Sequence, residues 1–386
     1  AGGISEYFIL EAPVLPNAGK GSPAEVDYMW TTGAAVDDYW NGTWGLLRSY
    51  QKSRNDLEPL PTNRIPRRGW EIANPDDFDA TGTCPADAPV QKFGVSAIRV
   101  ADVTGDADGL VYNARSQTVT APDGTPQGSG PLVDPNALVY VLDEDLDITK
   151  GKGKNNPDTI NGLKPGVTIE PLVLRVNAGD CIQVELANRL PEVVPDSPGY
   201  NALPPIVHKQ EGPNGVLTFN TNDITPSSTV GLHPQLLHYD VRTSNGLDVG
   251  GNSIKSPTPG TKKQYTWYAG DVSSEQVGTT QQKLTAKPVE FGVVGLMPAD
   301  RIGGSSKGLV GALVVEPAGA TWTTDPGTRI SADVSVSGGA SFREHVVVLQ
   351  DDLTLRSSDD CAGVPGDLEC AVPAVRSEGM GVREGA

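Results

Sequence analysis

Along most of this chain, short apolar runs alternate with polar residues, and clusters of Gly, Pro, Asp and Asn separate the runs. Residues 4–12 (ISEYFILEA) alternate enough for one strand. Within residues 25–50, Trp44, Leu46 and Arg48 keep a period of two, which places the Trp and the Leu on one face. Residues 51–91, with PLPTNRIPRR and CPADAP, are polar and proline-rich and read as a linker. A new unit opens near Phe93–Ile98, and 101–136 is Gly/Asp/Pro-rich loop. The pattern then predicts strands at Ala137–Leu142, Leu172–Val176, Ile182–Leu186, Gly215–Phe219, Gln235–Val241, Gln264–Ala269, Val289–Gly292 and Gly311–Glu316. The pair 172–176 and 182–186 flanks Asn177-Ala178-Gly179-Asp180, a hairpin-like turn. A helical period sustained over about 11 residues is hard to find. The class expected is all-β, an antiparallel sandwich with long loops. A Gly/Ser-rich stretch follows Trp322, and Phe342–Leu355 opens a further unit that stops without enough strands to close.

Composition narrows the class of partner. The 386 residues include 45 Gly and 32 Pro, which suits short strands joined by many loops. The net charge of −18 repels nucleic acid and anionic membrane surfaces. It suits a solvated extracellular surface, or a field that gathers cations. The longest apolar strand, Leu309–Val315, falls short of the ~20 residues of a membrane span. The first residues, Ala1-Gly2-Gly3-Ile4, carry neither a basic n-region nor an apolar h-region, as in a chain already processed or cut from something longer.

The four cysteines, Cys84, Cys181, Cys361 and Cys370, form no C-x-x-C pair, so two disulfides in an oxidising compartment are expected rather than zinc. Cys361 and Cys370 bracket a loop holding Gly363, Pro365 and Gly366 and make one pair; Cys84 with Cys181 follows by elimination. Asn41-Gly42-Thr43 matches the N-glycosylation pattern. Thr104 to Arg115 fails as an EF-hand, which would carry acids at both of those positions. An irregular Ca²⁺ site in that loop stays open, with Asp143-Glu144-Asp145-Leu146-Asp147 as a further contributor or a solvated edge. No nucleophile elbow, P-loop or dinucleotide fingerprint occurs, so no catalytic or organic-cofactor residues are assigned.

Several stretches carry a resemblance. Arg175 to Leu190 reads R-x-x-x-G-D-x-I-x-V-x-L-x-N-x-L, with Ile182, Val184 and Leu186 alternating inward and Asn188 placed to satisfy backbone at the strand end. Tyr265-Thr266-Trp267-Tyr268-Ala269-Gly270, Lys307 to Pro317 (KGLVGALVVEP) and Asp38 to Arg48 (DYWNGTWGLLR) add to it. So does Phe342-Arg343-Glu344-His345 with Gln350-Asp351-Asp352. Together they resemble the cupredoxin domains of multicopper oxidases, in particular the large, many-domain members that include bacterial manganese oxidases. The resemblance implies Greek-key cupredoxin sandwiches, divided as the end of one domain (1–65), a linker (66–91), one whole domain with long insertions (92–322), and a linker plus the start of another (323–386).

The resemblance also implies copper, and here the chain departs from the family. Family members combine a His₂Cys type 1 centre with a histidine-ligated trinuclear cluster, built from His-x-His pairs and a His-Cys-His run. This chain has only His208, His233, His238 and His345, in neither pattern. Gly231-Leu232-His233-Pro234-Gln235-Leu236-Leu237-His238 resembles the family's His-Pro-x-His-Leu-His, with His233 matching the first histidine, His238 the last, and Leu236 in place of the middle one. On one continuous strand 236 and 238 would share a face, so the leucine removes the same-face pair. The family's His-Asp-His run would fall near 278–287, where the chain reads Gly278-Thr279-Thr280-Gln281-Gln282-Lys283. His233 and His238 remain the candidate metal residues, against ordinary hydrogen-bonded histidines; Met297, between Leu296 and Pro298, reads as core. Two functions are expected from this. One is a scaffold portion of a multicopper oxidase, of the kind that oxidises metal ions such as Mn(II), whose copper lies in other cupredoxin domains or subunits. The other is a non-catalytic cupredoxin-type protein of an extracellular layer, filament or complex. Both place the chain outside the cytoplasm (secreted, periplasmic or at the cell surface) and within an oligomer or a larger polypeptide.

Overall fold

In the computed structural model the described residues are 25–31, 44–50, 71–106, 109–114, 119–120, 126–128, 131–151, 158–195, 209–211, 217–219, 226–247, 256–277, 281–301, 303–350, 353, 355–357 and 381–382. The fold is all-β. The two α-helices among these residues, Val100–Thr104 and Gly303–Ser306, are about one turn each. No described helix is long and apolar enough to cross a membrane.

Two sheets form the body. One has five strands, here named β1 (Val90–Arg99), β2 (Leu138–Leu142), β4 (Cys181–Asn188), β6 (His238–Tyr239) and β7 (Lys262–Tyr268), in the order β6-β7-β4-β1-β2. The other has four, β3 (Leu172–Asn177), β5 (His233–Pro234), β10 (Gly292–Met297) and β11 (Gly311–Glu316), in the order β3-β11-β10-β5. Period-two alternation packs them face to face. Val95 and Ala97, Ile182, Val184 and Leu186, and Tyr265 and Trp267 from the first sheet meet Leu172, Leu174 and Val176, Val294 and Leu296, and Leu313 and Val315 from the second in one buried cluster. Trp267 donates its Nε1–H to the Ser244 carbonyl at 2.9 Å, which satisfies the indole inside the core. Asn188 does what its place at the strand end suggested: its Nδ2 donates to the Ser228 and Pro257 carbonyls and its Oδ1 accepts the Leu190 N–H.

Three expectations need correction. The sheets are mixed rather than antiparallel throughout, because β1 runs parallel to β4 and β3 runs parallel to β11. The turn at 177–180 is not a hairpin: it carries the chain from β3 in the four-stranded sheet to β4 in the five-stranded one, so the two strands never pair. The described part of the stretch read as a linker is built into the fold, through a separate three-stranded sheet and a disulfide to the sandwich. Glu71–Ile72 pairs with β9 (Gln281–Pro288), and Cys84 is bonded to Cys181 at the start of β4 (S–S 2.02 Å). Cys361, Cys370, Asn41, His208 and the strand expected at 4–12 lie outside the described residues.

The pattern missed β9 and its antiparallel partner β8 (Gly270–Val277), which form an eight-residue pairing. A further sheet, β12 (Thr321–Thr324), β13 (Ser331–Ser335) and β14 (Phe342–His345), follows the sandwich. Its neighbours Ile330, Val346 and Val348 cover Val173, Ala312 and Val314 on the outer face of the four-stranded sheet. That cover explains why β3 and β11 are buried on both faces. Upstream, Glu25–Thr31 and Trp44–Tyr50 form an antiparallel hairpin with Trp30, Trp44, Leu46 and Leu47 about half exposed.

Candidate functional site

The two histidines of the motif lie on opposite sheets. His233 pairs in register with Met297 on β10, while His238 pairs with Tyr268 on β7. The single strand expected over 235–241 is therefore an arch between sheets, and the premise that 236 and 238 share a strand face does not hold. The Leu237 N–H donates to the Gln235 carbonyl at 2.8 Å, which closes a three-residue turn centred on Leu236. Leu236 has φ +61°, the one positive φ outside glycine among the described residues, and is 71% exposed.

His233 is held by its surroundings. Its Nδ1–H donates to the Asn245 carbonyl at 2.6 Å, and its ring meets Tyr239 edge-on at 5.7 Å. Burial pushes its pKa from the ordinary 6.5 down to about 4, with the Asn245 bond opposing and nearby Arg301 assisting. The ring is neutral near pH 7, with Nε2 as its lone-pair nitrogen.

His238 sits at the end of a row across the five-stranded sheet: Cys181 faces Tyr268, and Tyr268 faces His238. The Cys84–Cys181 bond ties the loop 79–84 against this row. The Asp79 carboxylate shapes that loop by accepting the N–H groups of Thr81, Thr83 and Cys84. His238 bonds the Gly82 backbone, and burial lowers its pKa against the opposing pull of that bond and of Asp271, Asp240 and Asp79. Tyr28 of the upstream hairpin completes a cavity of about 40 Å³ with Gly82, His238, Asp240, Arg242 and Leu284. That volume suits one or two waters, not a substrate. Asp240 is clamped by Arg242 through two bonds of 2.8 and 2.9 Å, and burial together with Asp240 pushes the Tyr28 phenol up to about 12.

These residues do not fit a copper centre. Among the described residues, the group of metal-ligating side chains close enough to share an ion is Asp79, Cys84 and Cys181, and its two sulfurs are bonded to each other. Neither His233 nor His238 belongs to it. Met297 is half-buried opposite His233. His345 bonds the Ser331 hydroxyl at 2.7 Å. Gln281 to Lys283 open strand β9, while Gly278–Thr280 lie outside the described residues. Of the suggested calcium loop, Thr104 bonds the Val100 carbonyl and its hydroxyl accepts the Asp106 N–H. Asp145 and Glu144 are paired with Arg329, and Asp143 accepts from Ser96, so much of that acidic run has protein partners. Sequence reasoning missed Tyr28, Gly82 and Asn245. Asp79-x-Thr81-Gly82-Thr83-Cys84, an Asx-turn pattern ending in a disulfide cysteine, was the available signal for the Gly82 loop.

No protein-family model matches this chain, and no curated protein matches it.

Proposed function

We propose that the chain is a scaffold portion of a multicopper oxidase-type protein, with the sandwich over 90–316 a cupredoxin-type domain that does not itself bind copper. The arch from His233 to His238 carries this reading. It occupies the place of the family's histidine motif, yet it sends its two imidazoles to opposite sheets, ties both to backbone and leaves an exposed leucine between them. The parallel pairings β1 with β4 and β3 with β11, and the strands that cross between sheets, support the cupredoxin assignment. The buried Cys84–Cys181 disulfide supports an oxidising compartment outside the cytoplasm. In the assembly, copper would supply electron transfer to oxygen, with metal ions such as Mn(II) as candidate reductants, while this chain holds neighbouring domains in register. The test is copper analysis of the purified chain and of its intact assembly. The expected result is no stoichiometric copper on the chain and bound copper with a type 1 blue absorbance in the assembly. Stoichiometric copper on the chain alone, or an assembly without copper, would overturn it.

A second reading has its own observation. Trp30, Trp44, Leu46 and Leu47 are about half exposed on the upstream hairpin, whose two strands pair only with each other among the described residues. These suit a non-catalytic subunit of an extracellular layer or filament. A monomer by sedimentation at every accessible concentration would count against it.

A further inference from the structure

Arg175 is a buried charge with two acidic neighbours. It lies on the outer face of β3, its side chain is 4% exposed, and one nitrogen, Nη1, serves two carboxylates: Glu316 at 2.8 Å and Glu344 of β14. The other two guanidinium nitrogens, Nε and Nη2, are buried and have no partner. They form the side of a guanidinium that grips a carboxylate through two parallel bonds. An unpaired buried donor is costly, so this edge calls for an acceptor.

The same residue lines a cleft of about 520 Å³ between the edge of the five-stranded sheet and β12. Lys92 stands on the cleft wall, exposed, with no acid bonded to it. The half-buried Trp322 supplies an apolar wall. Arg329 is already occupied by Asp145 and Glu144. We infer that this cleft is a binding site for a small organic monocarboxylate with an apolar body. Its carboxylate takes the Nε–Nη2 edge of Arg175, Lys92 adds the second cation, and the body lies against Trp322. Asp143 and Glu144 in the cleft lining, with Glu316 and Glu344 behind Arg175, disfavour a dianion such as phosphate.

The experiment is calorimetric titration of the full chain with benzoate, benzyl alcohol and inorganic phosphate, with the Trp322 indole resonance followed by NMR. Benzoate is expected to bind saturably and to shift Trp322, with benzyl alcohol and phosphate both weaker. Lys92→Gln, at an exposed position, should weaken benzoate about threefold. Arg175→Lys keeps a charge for the two glutamates but loses the two-donor edge, and should weaken it roughly tenfold or more. If Arg175→Lys fails to fold, Lys92→Gln and Trp322→Ala carry the test. Absence of saturable benzoate binding would mean that water alone fills the edge, and would overturn the proposal. Equal binding of benzyl alcohol, tighter binding of phosphate, or affinity unchanged in the variants would also overturn it.

Discussion

Two arches carry the chain from the four-stranded to the five-stranded sheet, and they are built on opposite terms. In the first, from Asn177 to Cys181, Gly179 takes the left-handed position at φ +94°. Each N–H around it has a partner: Ala178 to Glu316, Gly179 to Ala269, Asp180 to Asn177, and Asn177 to the Asp180 carboxylate. A disulfide then anchors its end. In the second, from Pro234 to His238, a leucine takes the left-handed position and points its side chain to solvent. The first satisfies its backbone donors and puts a glycine at its left-handed position, although the Asn177 side-chain oxygen is buried without a partner; the second breaks two rules at once, backbone preference and apolar exposure. A local conflict that persists inside a satisfied framework marks a place selected for something other than stability. Here it falls on the one segment that resembles a metal motif.

The largest way to break the comparison is to cut the anchor of the first arch. Cys84→Ser is expected to cost about 2–5 kcal/mol, read by urea unfolding, and reductant should reproduce the loss in the wild type. Freeing the loop should also expose His238. Burial is the main cause of its lowered pKa, so that pKa should rise toward 6.5 despite loss of the Gly82 bond, which NMR titration can follow.

The next test falls on the second arch. His233 titrates near 6.5 unfolded and at about 4 folded. Between those values the unfolded chain binds the proton and the folded chain does not, so stability falls as pH drops from about 6.5 to 4 and is unaffected by this group above that window. The shift corresponds to roughly 3 kcal/mol. His233→Gln should flatten that part of the stability–pH curve. An equal slope in the variant would show that the ring is not held neutral by burial.

Gly179→Ala comes third, at about 1–2 kcal/mol destabilising by thermal unfolding. The alanine must adopt a positive φ, and its Cβ would also sit 3.2 Å from the Pro288 ring.

What was legible in the chain follows the same division. Strand β4 could be read because Ile182, Val184 and Leu186 bury one face. Strands β3 and β11 could be read because both their faces are covered, the outer one by Ile330, Val346 and Val348. Strands β8 and β9 could not: GDVSSEQV and QQKLTAKP offer little apolar alternation, and the pair is defined by mutual hydrogen bonding. The turn at 177–180 was visible, but a turn does not say whether its strands pair or part. Residues 71–89 looked like linker because their order comes from a disulfide 97 residues long in sequence and from the Asp79 carboxylate, neither of which leaves a periodic trace. At the candidate site, His233 and His238 were found by motif. Their separation onto two sheets was hidden, since no propensity places a leucine at positive φ.

The smallest expected effect is the sharpest, because its sign is opposite. Leu236→Gly removes a side chain that is 71% exposed and so contributes little burial. It relieves a positive φ worth about 1–2 kcal/mol, against about 0.5–1 kcal/mol of added chain entropy in the unfolded state. The net result should be a gain of roughly 0.5 kcal/mol, a rise in midpoint where Gly179→Ala gives a fall. If Leu236→Gly destabilises instead, the leucine side chain makes contacts that its exposure in this chain does not account for.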